Sequence, residues 1–322
     1  MQSTHSLRHN KNIQVAALLV TFLLTALVVA SCSSGQTITE EKPAITPAEE
    51  PVFGSELEEK AYEKTEIKNT QDELVFEILS LPPELHEVPP AFTKYVQVWG
   101  IHIIGTSSTP DQKILHAANV MAQYLDNDEN GVPDNKRVID ALVSNNSILV
   151  MAKSEKEFEN LVDKLDLSAF DSFSAQDLYG TETARSNGFD SSLEEIHHLI
   201  LNYGWAEVFP QKLGQKKGSD IAKAMDIARG GIFDNTPVQY PEGAWFTYDD
   251  WTCDYRCMLT EYTYWVHTSL LGGQMGRQDE IGEEWKLETP KKVRKNDQNA
   301  VIILEDPNLE LPSILPTGNY RN

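Results

Sequence analysis

The opening of the chain decides what the rest of it can become. Arg8 and Lys11 precede an apolar run from Val15 to Ala30, and no acid appears before Glu40. A basic start, an apolar middle and the small residues Ala30 and Ser31 before Cys32 make the layout of a secretory signal. The run is 16 residues long, short of the about 20 that a helix needs to cross a bilayer. Residues 1–31 are therefore expected to be a signal peptide, leaving the fold to be built from the chain beyond Ser31, outside the cytoplasm. The competing expectation is an uncleaved membrane helix.

Val29-Ala30-Ser31-Cys32 resembles the lipobox of bacterial lipoproteins. The resemblance implies cleavage before Cys32 and acylation of Cys32. The membrane is then a partner through several acyl chains, more than the two signals that stable anchoring takes. Ser33 after the cysteine is similar to the signal for outer-membrane delivery in double-membraned bacteria. The implied location is the bacterial cell envelope, with periplasmic and surface-facing orientations both open.

From Ser33 to Asp72 the chain holds ten acids, four lysines and three prolines. Such a stretch buries too little apolar surface to offset the entropy of ordering. Residues 32–72 read as the lipidated cysteine and an acidic tether, and residues 73–322 as one domain. With 27 Lys+Arg against 49 Asp+Glu the net charge is −22, which excludes the basic face that nucleic acid requires. A hydrophobic content of 40% is that of a protein with a core.

Within the domain, Val96, Val98, Ile101 and Ile103 alternate on either side of Gly100 and predict two strands. Ser108-Thr109-Pro110 predicts a hydroxyl cap with Pro at the first helical position. Ile114, Leu115, Ala118, Met121, Ala122 and Leu125 then keep helical spacing. A helix at 135–144, the apolar strand SILVMA at 147–152, a helix at 154–165 and an edge strand lead to a helix at 191–203 that Gly204 ends. Ser219 caps another helix, and an aromatic helix spans 252–271. Residues 284–322 are strand-poor and punctuated by proline. The predicted class is α+β, several helices around a small mixed sheet.

Between two of these helices lies DNDENGVPD, residues 126–134. Asp126, Asp128 and Asn130 alternate, Gly131 supplies the turn, Val132 offers a carbonyl and Asp134 stands ninth, a spacing that points oxygens inward onto a hard cation. The run resembles the first nine positions of an EF-hand calcium loop and departs at the twelfth, where Arg137 replaces a bidentate glutamate. Affinity is then modest unless Asp140 or a distant carboxylate completes the shell. A solvated Asx-rich turn explains the same residues locally.

In SSLEEIHHLILNYGW, Glu194 and His198 are four apart and share one helical face, with Glu195 after the first of them. This resembles the zincin motif with its first histidine replaced by glutamate. Glu261, in the later run TEYTYW, is similar to the glutamate helix of lethal-factor-like and Pro-Pro-cleaving zincins. The resemblance implies a zincin-like fold with the calcium-type loop inserted near its start. It also implies Glu194, His198 and Glu261 as ligands of Zn²⁺ or another transition metal, and Glu195 as general base toward water. Tyr255 is the candidate to steady an oxyanion, with Tyr262 and Tyr264 on the same helix as alternatives. A set of carboxylates plus one His also suits iron or manganese. Against this, Ser191-x-x-Glu194 and Ser192-x-x-Glu195 are capping-box patterns, so either glutamate can be a cap instead.

With Cys32 acylated, Cys253 and Cys257 remain for a disulfide in an oxidising compartment. They are four apart, which needs an irregular first helical turn. The aromatic density of residues 244–265 fits a core helix better than a ligand cleft. The expected function is a lipid-anchored extracytoplasmic metal-dependent hydrolase with a peptide or protein substrate. The alternative is a non-catalytic, calcium-stabilised binding or scaffold lipoprotein.

Overall fold

A computed structural model describes residues 76–321, apart from Asp166 and Asn187. The signal segment 1–31, Cys32 and the tether lie outside the described residues.

Four strands form one mixed sheet in the order β1-β2-β3-β4. β1 (Phe92–Val98) and β2 (Ile101–Thr106) are antiparallel, paired from Val98↔Ile101 outward. Trp99 and Gly100, at φ 45° and 89°, make the two-residue turn between them, and positive φ at both positions matches the twist of the flanking strands. β3 (Ser147–Ala152) and β4 (Ser174–Tyr179) add in parallel. Each parallel step needs a crossover. The first is α1 (Asp111–Leu125) with α2 (Lys136–Ser144), and the second contains α3 (Glu155–Val162).

Alternation sorts the strand residues onto two faces. Val96, Val98, Ile101, Ile103, Leu149, Met151 and Leu178 face the larger core with α1, α2, α4 (Ser192–Ile200), α5 (Asp220–Ala228) and α6 (Tyr255–Leu270). Tyr95, Ile104, Ile148 and Val150 face a smaller cluster with Phe170, flanked by Phe158 of α3. β3 is buried at every position, as a central strand covered on both sides must be. Each fully buried aliphatic side chain there contributes about 1.5–3 kcal/mol.

Several local expectations change in three dimensions. Pro110 is itself the N-cap of α1 and no side chain caps it, because Thr109 Oγ1 is turned inward to donate to Met151 O at 3.2 Å. Gly204 does not end the helix that begins at Ser192. It lies inside a π turn (Leu201–Trp205) that carries the helix on to Ala206–Val208. A Cβ at Gly204 would sit 2.9 Å from Val138 Cγ1, so glycine is there for the close approach of α2. After α7 (Gln278–Ile281), the strand-poor residues 284–322 hold α8 (Pro290–Asn296) and α9 (Gln298–Leu304). The apolar run from Ala300 to Leu304 is thus helical.

Candidate metal centre

The first turn of α4 is capped from outside its own serines. Ser191 makes no side-chain cap bond. Instead Asp190 Oδ1 accepts from Ser192 N at 3.2 Å and Ser192 Oγ at 2.6 Å, while His116 Nε2 holds Asp190 Oδ2 at 2.6 Å. Neither capping box forms, and Glu194 and Glu195 are left to other partners.

Glu194 and His198 on α4 converge with Glu261 on α6, one ligand atom of each lying within 4.8 Å of the others. His198 Nε2 is 3.7 Å from Glu261 Oε2, beyond hydrogen-bond reach, and this buried nitrogen meets no hydrogen-bond partner among the described residues. Burial lowers the His198 pKa although Glu194 pulls it up, which favours the neutral ring, the form with a lone pair to give. Burial and then the charge of Glu195 push Glu194 up to about 7. Burial, Glu194 and Glu195 push Glu261 well above the usual carboxylate range. Carboxylates crowded around a bare imidazole nitrogen are costly alone and favourable around a cation. The residues present therefore fit a divalent metal, and the donor set is one that zinc, iron and manganese all accept.

Glu195 Oε2 accepts from Gln176 Nε2 at 2.7 Å and lies 3.7 Å from His198 Nδ1. Burial and the charge of Asp177 raise its pKa well above normal, with the Gln176 hydrogen bond opposing them. A carboxylate that takes up a proton so readily suits acid–base work.

No family model, curated protein or solved structure matches this chain. What the centre can do rests on its own geometry.

Tyr255 is not brought to the cluster. Its hydroxyl donates to Asp226 Oδ2 at 3.0 Å, and six residues of helix separate it from Glu261, about 9 Å along the axis. The ring beside His198 is that of Tyr264, with centroids 5.4 Å apart. Three neighbours carry no spacing signal: Gln176, Glu284, whose charge acts on both Glu194 and Glu261, and Arg277. The Arg277 guanidinium stacks 3.7 Å from the Phe189 ring centre and its charge opposes the rise at Glu194.

In the 126–134 loop, Asp126, Asp128 and Asp134 each bring a carboxylate oxygen within 4.8 Å of the others. Asp126 accepts from Asn130 N at 3.1 Å and Gly131 N at 2.7 Å. Asn130 Oδ1, however, accepts from Val132 N at 2.8 Å, which keeps this side chain in a local turn. Gly131 takes φ 94°. Arg137 at the twelfth position turns away onto the Phe209 ring, and Asp140 pairs with Lys136 at 2.7 Å, so neither completes the shell. Burial raises Asp134, and the charges that add to it include Glu310, from far along the chain.

Cys253 and Cys257 are bonded, with Cα atoms 5.3 Å apart. No irregular turn is needed, because Cys253 precedes Asp254, the N-cap whose carboxylate accepts from Cys257 N at 2.9 Å. The aromatic cluster is largely core: Phe246, Tyr262, Tyr264 and Trp265 are buried.

Proposed function

We propose that this chain is a lipid-anchored, extracytoplasmic metal-dependent hydrolase of zincin-like architecture that cleaves peptide or protein substrates. The observation that carries the reading is the convergence of Glu194, His198 and Glu261, with a buried imidazole nitrogen that meets no hydrogen-bond partner among the described residues. Bound there, a metal ion would supply Lewis acidity toward water and the scissile carbonyl. Glu195 takes the proton of the attacking water and returns it to the leaving amine, held in aim by Gln176. β4 is an edge strand, and its outer edge suits an extended peptide laid alongside it. Tyr264 takes the place first given to Tyr255 beside the developing oxyanion.

Acylation of Cys32 and the tether would hold the domain at the envelope. Among the described residues no helix is long and apolar enough to cross a membrane. The 126–134 loop serves as a structural calcium site, at extracytoplasmic concentrations that tolerate modest affinity.

One feature favours the second reading, a non-catalytic calcium-stabilised binding lipoprotein: Glu194 stands where a nitrogen ligand is usual, which weakens the hold on zinc. Metal analysis of protein purified without added metal, with a peptide-cleavage assay of the loaded protein and Glu195→Gln, separates the two. Stoichiometric transition metal and cleavage lost in Glu195→Gln support the hydrolase. Metal without cleavage supports the binding protein, and absence of metal overturns the centre itself.

A further inference from the structure

Residues 309–321 touch the 126–134 loop directly and reach the helices of the other proposed site through His267 and His116. On the loop side, the residues between the inward-pointing ligands face outward and hold this segment. Asn127 Oδ1 accepts from Ser313 N at 2.8 Å and Ile314 N at 2.9 Å, while Asn127 Nδ2 donates to Ile314 O at 2.8 Å and to Gln123 O at 3.0 Å. Every hydrogen-bonding position of that amide is used. The backbone N–H of Asn127 donates in turn to Asp134 Oδ2, a proposed ligand, at 2.8 Å. Glu129 Oε2 accepts from Arg321 N at 2.6 Å. Gln123 Oε1 accepts from Thr317 N at 2.9 Å and Gly318 N at 2.7 Å, and the Tyr320 hydroxyl donates to Asp126.

On the other side, Pro312, the residue before Ser313, accepts from His267 Nε2 at 2.9 Å. A carbonyl only accepts, so that nitrogen carries the proton and His267 Nδ1 is a lone pair. His197 Nε2, 3.0 Å away, is then the donor, and His197 Nδ1 is left as a bare acceptor that no donor reaches among the described residues. The chain of bonds has one direction and one tautomer at each ring. His197 adjoins the ligand His198, and His267 lies on the helix that carries Glu261. The two ligand helices are thereby fastened to each other and to residue 312.

A second contact reaches the start of α4. A Cβ on Gly318 would fall 2.0 Å from His116 Cε1, and His116 is the partner of Asp190, the residue that caps α4. Gly318 also takes φ 79°.

We propose that residues 309–321 form a strap through which calcium on the 126–134 loop tightens transition-metal binding at Glu194, His198 and Glu261, with His267 as the positioning residue. The inference rests on the two metal sites of the proposed function and deepens them. Calcium fixes Asp126 and Asp134, hence Asn127 and Tyr320, hence the strap and the His267–His197 pair that sets the spacing of α4 and α6. Part of the ordering that the second metal would otherwise require is then already in place, which is positive coupling.

The test is a Co²⁺ titration of the full chain, followed by visible absorption, with and without 1 mM Ca²⁺ in buffer stripped of metal by chelating resin. Calcium is expected to tighten Co²⁺ binding about tenfold, within the range of ordinary allosteric coupling. Asn127→Ala and His267→Phe should still bind both ions, with the calcium effect reduced to about onefold. Should either variant fold poorly, the reciprocal measurement on the unmodified protein serves, because Co²⁺ must tighten Ca²⁺ binding by the same factor. Equal Co²⁺ affinity with and without calcium, in a protein that binds both, overturns the coupling alone. A melting temperature indifferent to calcium overturns it through the loop, and a Co²⁺ spectrum absent or unchanged by Glu261→Ala overturns it through the centre.

Discussion

Gln176 on β4 donates to Glu195 on α4 at 2.7 Å, joining the proposed base to the strand on which a substrate would lie. The bond crosses from sheet to helix, so orientation of the base depends on the strand rather than on the helix alone. Glu195→Gln is expected to lower kcat by about 10²–10⁴ while metal content stays the same. Gln176→Leu should lower kcat less, about tenfold, because it removes the aim and not the base. Steady-state kinetics with metal analysis checks both, and a Glu195→Gln protein of full activity would falsify the mechanism.

Glu261 is expected to have opposite effects on the metal-free and metal-loaded proteins. In the metal-free state its carboxylate adds to the crowding with Glu194 and Glu195. Glu261→Gln should therefore raise the melting temperature of metal-free protein at pH 8 and abolish the further rise on adding metal. Calorimetry of four samples, each protein with and without Zn²⁺, gives the comparison. A metal-induced rise that survives the substitution removes Glu261 from the ligand set.

Tyr255 and Tyr264 should separate cleanly. Tyr255→Phe breaks one hydrogen bond to Asp226, at a cost of about 1 kcal/mol, and should leave kcat unchanged. Tyr264→Phe removes the phenol beside His198 and should lower kcat with little change in KM. Loss of activity in Tyr255→Phe instead would restore it as a site residue.

Calcium should stabilise the protein by about 2.7 kcal/mol at one hundred times its Kd. Glu310 lies outside the loop yet adds its charge at Asp134. Glu310→Gln is expected to weaken calcium binding several-fold, as judged by the calcium dependence of the melting temperature. An unchanged Kd means the shell closes without Glu310.

Features set by local chemistry were legible in the sequence. Alternation around Trp99-Gly100 marks β1 and β2, Ser219 caps α5 through its bond to Ala222 N, and Glu194 and His198 stand out by their spacing on one helical face, whereas Glu261 enters only through the resemblance to zincins. What was not legible depends on partners remote in the chain. Tyr320 reaches Asp126 across 194 residues, and Gln176 reaches Glu195 from a strand that no helical periodicity describes. Asp190 displaces both serine caps because His116, from α1, is there to hold it. The π turn at Leu201–Trp205 escaped because Gly204 reads as a helix end, whereas its reason is the close approach of Val138 from α2, remote in the chain.

The pH dependence of the metal-free protein has a sign that can be worked out from groups outside the ligand set. Burial, then the charge of Glu195, pushes Glu182 up from 4.5 to about 8, with a hydrogen bond from Tyr179 N opposing the rise. Burial, then Asp249 and Asp250, pushes Glu284 up from 4.5 to about 7. Between pH 4.5 and these values the folded protein keeps protons that the unfolded chain has released. The stability that these two groups contribute is then full below about 4.5, falls as pH rises, and is lost above about 8. Glu182→Gln keeps an acceptor for Tyr179 N and cannot ionise, so it should flatten the upper part of the fall. At pH 8 the variant should be more stable than the parent by on the order of 1 kcal/mol, solvent screening having reduced the full effect. Thermal melts of both metal-free proteins from pH 5 to 9 decide it: parallel curves would mean that Glu182 ionises in the folded protein as it does in the unfolded chain.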